Sequence, residues 1–360
     1  MDVMPPSCPH RCRLGEGLNW SLMTLPSLSE ILERSHVVSL PMNVRFRGVT
    51  TREALLIDGP AGWGEFAPFL EYDAVESSAW LAAGIEAAWQ GFPEPLRTHI
   101  EVNATVPAVP AQEVAAVLEK FPGCRTVKVK VAEKGQTLAD DIARVQAVRE
   151  ARPGAVIRVD ANTGWTVEQA LEAAQHLGPL DYLEQPCATV EELAQVRASL
   201  QRRGIFARVA ADESIRRSDD PYRVAELRAA DVAVVKVAPL GGVRRVLEVA
   251  EHLRARTMDI TVASALDTVV GMNAGLAAVA ALPKLDDDDL IDVPPAAAGL
   301  ATSQFFIEDV AAPHTITDGF METRVITPEP DRLAGLAAPA DRRDWWFERV
   351  RESYSVLAGI

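Results

Sequence analysis

Between residues 99 and 282 short apolar runs alternate with amphipathic segments seven times, and no other feature constrains the chain as much. The runs are HIEVNATVPA (99–108), RTVKVKVA (125–132), AVIRVD (155–160), DYLEQP (181–186), FARVAADE (206–213), DVAVVKVAP (231–239) and DITVASA (259–265). Helical signals separate them. Pro110 opens a segment that Pro122-Gly123 closes, and 137–151 carries Leu138, Ile142 and Val145 on one face. Thr166-Val167-Glu168-Gln169 and Thr189-Val190-Glu191-Glu192 read as capping boxes, and 220–229, 243–255 and 270–281 complete the helices. Strands separated by single helices must pair in parallel. Eight such units close a (β/α)₈ barrel, so the eighth strand is expected in the weaker stretch 289–302. An open doubly wound sheet would want a glycine-rich turn after its first strand; Pro107-Ala108-Val109-Pro110 has no glycine.

The start of the chain has another rhythm. Residues 1–22 read as an appendage, Ser27-Leu28-Ser29-Glu30 as a helix start, 36–64 as short strands turning at Asp58-Gly59-Pro60, and 74–91 as an Ala- and Trp-rich helix. The 360 residues carry 36 Lys+Arg against 51 Asp+Glu, a net charge of −15, which argues against a nucleic-acid surface. No apolar run approaches the roughly 18 residues of a membrane span, so no membrane insertion is expected, and the first 22 residues lack a secretory apolar region. Four cysteines make no disulfide framework, which points to a reducing, cytoplasmic compartment. Cys8, His10 and Cys12 lie close together but lack the second ligand pair of a zinc site, and Cys124 and Cys187 read as small core residues.

In a barrel of this kind chemistry sits where the strands end. The polar residues at those ends are Lys128 and Lys130, Asp160, Glu184, Asp212-Glu213, Lys236 and Ser264. Asp160 and Glu184 are 24 residues apart, Glu184 and Asp212 28, about one β/α unit each. The three carboxylates therefore belong on consecutive strand tips. Three oxygen ligands without histidine or thiolate suit a hard cation, Mg²⁺ above Zn²⁺, with Mn²⁺ as a substitute. Any one of them alone would read as a helix cap or a solvated loop charge. Asp212 and Glu213 point to opposite sides of their strand, so one of the two is a ligand; Asn162 and Glu213 are expected to brace the site from behind.

Lys128 and Lys130 share one side of their strand, with Val127, Val129 and Val131 on the other, and Lys236 lies in an otherwise apolar run. Buried lysines need a partner or a function. Simple pairing with the acids would supply the first. Proton abstraction would supply the second, provided a second lysine and a dication lower the base from its ordinary value of about 10.4. A carboxylate substrate on the metal would then lose its α-proton, with Lys130 and Lys236 on its opposite faces and the ene-diolate held by metal and ammonium.

The pattern Lys-x-Lys, Asp, Glu, Asp, Lys resembles the enolase superfamily, in its muconate-lactonizing subgroup. A mandelate-racemase-like chain would place a histidine after the later strands, and none of the six histidines falls there. The segments GPAGWGEFAPFLEY, KVKVAEKGQTLADDIARV, RVDANTGW, DYLEQPCATVEEL, AADESIRR, VVKVAPLGG, SALDTVVG and RRDWWFERVRESYS are similar to the bacterial o-succinylbenzoate synthase family, from about residue 23 to the end. That resemblance implies an α/β fold: a modified (β/α) TIM barrel with an α+β capping domain made from both chain termini. The implied division is an extension at 1–22, cap at 23–98, barrel at 99–309 and a return to the cap at 310–360.

It also implies a Mg²⁺-dependent dehydration of 2-succinyl-6-hydroxy-2,4-cyclohexadiene-1-carboxylate in menaquinone biosynthesis, with syn loss of water. Lys130 would be the base and then the acid, Lys128 its electrostatic partner and Lys236 the cation opposite. Asp160, Glu184 and Asp212 would hold the metal, and Ser264, Gly299, Arg45 and Arg47 would contact the substrate. The only partner implied is a small carboxylate, and a monomer is favoured. Residues 286–298, DDDDLIDVPPAAA, depart from the family approach to strand eight, whose glycine-rich turn survives as Gly299-Leu300-Ala301-Thr302. Two other functions compete. An N-succinylamino acid racemase or dipeptide epimerase would use the same residues, passing the proton from Lys130 to Lys236. A non-catalytic metal-binding barrel would have no need of the three lysines.

Overall fold

The computed structural model describes residues 25–46, 49–217, 220–284 and 293–360, with side chains at 44–46 outside that description. Arg47, Cys8, His10, Cys12, the extension 1–22 and residues 285–292 therefore lie outside the described residues, as does the side chain of Arg45.

The chain begins with α1 (Leu28–Glu33), whose first turn is capped by the Ser27 hydroxyl. It continues through β1 (Ser35–Phe46), β2 (Val49–Gly59) and β3 (Gly62–Phe66), an antiparallel sheet in that order, and then α2 (Ala74–Trp89). Every residue of α2 from Ser77 to Ala88 is buried, because the sheet, the barrel and the C-terminal helix all pack on it. Two glycines allow that closeness. A Cβ on Gly64 would lie 2.0 Å from the Gly84 carbonyl oxygen, and one on Gly84 would lie 2.8 Å from that of Glu65.

The barrel follows: β4 (His99–Glu101), β5 (Ala104–Val106), α3 (Val114–Leu118), β6 (Thr126–Lys130), α4 (Leu138–Ala151), β7 (Val156–Asp160), α5 (Val167–His176), β8 (Tyr182–Glu184), α6 (Val190–Arg203), β9 (Arg208–Ala211), α7 (Asp220–Glu226), β10 (Val232–Val235), α8 (Val237–Leu240), α9 (Val243–Arg254), β11 (Asp259–Val262) and α10 (Val269–Ala281). Strands β5 to β11 form one parallel sheet in chain order, as single-helix crossovers require. Both capping boxes are present, at Thr166/Gln169 and Thr189/Glu192.

The eighth strand is reduced to Ala298-Gly299. Ala298 bridges to Val102 and Gly299 to Ala263, both in parallel. Four backbone bonds seal the gap: Ala298 N to Glu101 O at 2.8 Å, Asn103 N to Ala298 O at 2.9 Å, Gly299 N to Val262 O at 2.8 Å and Ser264 N to Gly299 O at 3.0 Å. The expected continuous strand 99–108 breaks at Val102-Asn103, because the chain changes partner there. Its first half, β4, pairs antiparallel with β12 (Phe320–Glu322), and only β5 joins the barrel. The expected helix between Pro110 and Pro122 shrinks to a 3₁₀ turn at Ala111–Glu113 followed by α3.

Two last helices, α11 (Pro330–Gly335) and α12 (Ala340–Ala358), return to the N-terminal sheet. Trp346 of α12 is fully buried, stands edge-on to Phe66 at 5.8 Å and donates its indole N–H to Glu53 Oε2 at 2.9 Å. Its core neighbours are Ile31, Val37, Leu55, Ile57, Trp80 and Ile85. The large core of the barrel lies between sheet and helices, where Val127, Val129 and Val131 sit. Among the described residues an apolar cluster of Tyr182, Ala210, Val232, Val234 and Ala263 lies inside the ring. Buried polar and charged groups accompany it, among them Asn103, Arg158, Asp160, Glu184 and Thr261. Among the described residues no helix is long and apolar enough to cross a membrane.

Candidate active site

Register places the charged groups in rows. Lys130, Asp160 and Glu184 are direct neighbours across β6, β7 and β8. One row nearer the strand starts, Lys128, Arg158 and Tyr182 are neighbours in the same way. Inward-pointing residues of a barrel stack in such layers, and side chains two apart share a face. Asp212 lies just past the end of β9, and Lys236 just past β10.

Asp160 and Glu184 are 1% exposed and Asp212 6%. Each is held by a lysine. Lys128 Nζ lies 2.9 Å from Glu184 Oε1 and 3.3 Å from Asp160 Oδ2. Lys130 Nζ lies 2.5 Å from Asp160 Oδ2 and donates to Asn162 Oδ1 at 2.7 Å. Lys236 Nζ donates to Asp212 Oδ1. The pairing of lysines with acids is thus present here, and it gathers the predicted base, its partner and the opposite cation around the same three carboxylates.

The titration of these groups follows from burial and neighbours. Burial favours the neutral amine of Lys128, but Glu184 and Asp160 outweigh it and hold the ammonium well above its ordinary range. Burial would raise Asp160, yet Lys130 and Lys128 pull it well below the usual carboxylate range. Asp212 is likewise lowered, with burial overcome by Lys236 and Arg216. Glu184 goes the other way, pushed up to about 7 by burial and by Asp160 against the pull of Lys128.

Among the described residues no three His, Cys, Asp or Glu groups converge closely enough to enclose an ion as they stand; the lysine ammonium groups lie between the carboxylates. The donor set nevertheless fits a hard dication. It is three buried carboxylates on adjacent strand tips, and Glu213 Oε2 beside them is buried without a hydrogen-bond partner.

The supporting residues also converge. Asn162, at φ 42°, receives Lys130, donates its side-chain amide to Glu213 Oε1 at 3.2 Å and gives its backbone N–H to Asp160 Oδ1 at 3.1 Å. Glu213 binds Arg216 at 2.7 Å, and the same guanidinium nitrogen lies 3.8 Å from Asp212 Oδ2. Ser264 and Gly299 meet at the strand-eight gap through the Ser264 N–H.

Two residues of the site escaped the sequence reading. Arg158 is buried inside the ring, with its guanidinium 4.8 Å from the Tyr182 ring centroid, and donates to Asp181 at 2.9 Å and to Ala297 O at 2.7 Å. Gln185, fully buried, accepts the N–H groups of Asp212 (2.9 Å) and Ser214 (3.1 Å), which sets the tip of β9. The signals were available: Arg158 is two residues before Asp160, hence on its face, and Gln185 directly follows Glu184.

Comparison with known proteins extends the geometry. Residues 37–88 match an enolase N-terminal domain-like family model and residues 110–329 an enolase C-terminal domain-like model. The o-succinylbenzoate synthase of Mycobacterium leprae (strain TN) is 55% identical over 336 residues, covering 92% of this chain and 95% of that protein. The o-succinylbenzoate synthase of Mycolicibacterium smegmatis is 54% identical over 92% of this chain and 99% of its own length. Among solved structures, muconate lactonizing enzyme from Pseudomonas putida superposes with a TM-score of 0.67 at 22% identity, covering 84% of this chain and 98% of that one, a likeness of fold.

Proposed function

The chain belongs to the o-succinylbenzoate synthase family of the enolase superfamily, and from that membership we propose that it removes water from 2-succinyl-6-hydroxy-2,4-cyclohexadiene-1-carboxylate in a Mg²⁺-dependent step toward menaquinone. The observation that carries this reading is the Lys130–Asp160–Glu184 row, which sets a base beside two buried carboxylates. Asp160, Glu184 and Asp212 would hold Mg²⁺, which when bound would offset the charge of the substrate carboxylate.

Each of the three lysines is now spent on a carboxylate. With Mg²⁺ held by those carboxylates, Lys130 would be released from Asp160 to serve as the base, while Lys128 and Lys236 would supply the positive charges around the substrate. Lys130 takes the proton α to the carboxylate and returns it to the departing hydroxyl on the same face, so the elimination is syn. Asn162 steers the Lys130 amine, and Lys128 keeps a positive charge beneath it. Lys236, from the far side of the ring, stabilises the charge that develops on the substrate. Ser264, with the backbone near Gly299, receives the succinyl end.

The test is an ultraviolet assay with the cyclohexadiene substrate run beside a racemisation assay with N-succinyl amino acids. Dehydration supports the reading. Racemisation without dehydration replaces it with the epimerase chemistry, and inactivity in both returns the chain to a metal-binding barrel.

A further inference from the structure

Two side chains of the cap sheet reach into the barrel and grip one short turn. The turn is Ser264-Ala265-Leu266-Asp267-Thr268, between β11 and α10. Ser264 Oγ accepts the N–H groups of Leu266 at 3.0 Å and Asp267 at 3.2 Å, and Asp267 Oδ2 accepts that of Ala265 at 3.0 Å. Leu266 sits at φ 63°, a left-handed conformation that strains a leucine. Such a backbone persists only where its surroundings over-determine it.

Here those surroundings are supplied by the cap. Arg52 of β2 is buried; its Nε donates to Leu266 O at 3.1 Å and its Nη2 to Ala67 O. Glu65 of β3 is buried as well. Its Oε2 accepts the Thr268 N–H at 3.0 Å, the Thr268 hydroxyl at 2.5 Å and the Gly271 N–H at 3.1 Å, which caps α10 from another part of the fold. A Cβ on Gly271 would lie 2.6 Å from the Glu65 carboxyl carbon, so this approach requires glycine. The charged groups facing Glu65 are Asp267 from the turn and Arg52 from β2, and Asp267 in turn feels Lys236. Burial and then Asp267 push Glu65 up to about 8, so at neutral pH a side-chain amide is a close replacement for it.

The consequence falls on Ser264. With two N–H groups donating to its oxygen, its hydroxyl has one function left, the O–H donor, for which the neighbouring Asp267 carboxylate and a bound acceptor compete. A succinyl arm offers a ketone and a carboxylate as acceptors. We propose that Glu65 and Arg52 are positioning residues for the dehydration: they lock the 264–268 turn so that the Ser264 hydroxyl donates to the succinyl end of the substrate. The inference rests on the dehydration reading above and adds the cap sheet, through this turn, to what orients the substrate.

Steady-state kinetics of the Mg²⁺-loaded enzyme with the cyclohexadiene substrate test it. Glu65→Ala and Arg52→Lys are each expected to raise KM about tenfold with kcat changed less than about threefold, and Glu65→Gln to restore KM to within about twofold. In a Ser264→Ala background Glu65→Ala should add less than about a further twofold, because both changes remove the same contact. Effects that multiply, or a loss confined to kcat, overturn the proposal. If Glu65→Ala does not fold, Arg52→Lys with and without Ser264→Ala makes the same comparison. An inactive parent enzyme defeats the dehydration reading itself, whereas an active parent whose KM ignores these changes defeats only the positioning role.

Discussion

Lys130 and Asp160 are neighbours twice over: they are register partners across β6 and β7, and their side chains meet at 2.5 Å. Asp160 also has Lys128 at 3.3 Å, so it does not depend on Lys130 for its charge balance. Lys130→Ala should therefore cut dehydration by about a thousandfold or more while Mg²⁺ still binds, measured by calorimetry on the same preparation. Turnover that survives the substitution removes Lys130 from its role as base.

The buried carboxylates make the same case for the metal. Excess chelator should abolish activity, and Mg²⁺ or Mn²⁺ should restore it. Saturating Mg²⁺ should also stabilise the fold, by about 2.7 kcal/mol at a hundred times Kd, seen as a rise in Tm that Glu184→Gln weakens. Full activity in chelator, or a Tm indifferent to Mg²⁺, counts against the triad.

His314 gives a pH signature away from the site. Its imidazole is buried, with Nδ1 unpartnered, and burial followed by Arg324 pushes it down to about 4. The unfolded chain takes up this proton below about pH 6.5, the folded chain only below about 4. The contribution is present above pH 6.5, shrinks as pH falls through that window and is gone below it. Urea midpoints of the parent should drop relative to His314→Gln between those limits; a constant difference across them would falsify the assignment.

The crossing of β3 over α2 should tolerate no side chain. Gly64→Ala drives a methyl into the Gly84 carbonyl, backbone against backbone, and is expected to cost about 2–3 kcal/mol in chemical denaturation. An unchanged midpoint would mean that the sheet can lift off the helix freely.

Much of this was legible in the sequence, for a local reason. Strand-helix alternation and the two capping boxes are short-range patterns, so β5 to β11 and α5 and α6 follow from them. Period-two alternation put Lys128 and Lys130 opposite Val127 and Val129, and unit length put Asp160, Glu184 and Asp212 on adjacent tips. What failed was set at long range. The break at Val102-Asn103 depends on β12 and on Ala298, some two hundred residues away, and no local pattern carries that. The grip of Glu65 on Thr268 is equally distant in sequence. Arg158 and Gln185 could have been found by asking what sits next to each acid along its strand.

The two-residue closure at Ala298-Gly299 has a consequence for biosynthesis. The ring cannot shut until those residues have left the ribosome, and the N-terminal sheet must wait longer still for Trp346. Loop-closure entropy of that span is met late, after most of the parallel edges have been exposed. A nascent chain of this kind cannot fold piece by piece from its start, and its reliance on chaperones during synthesis should be greatest in the interval between completing β11 and delivering α12.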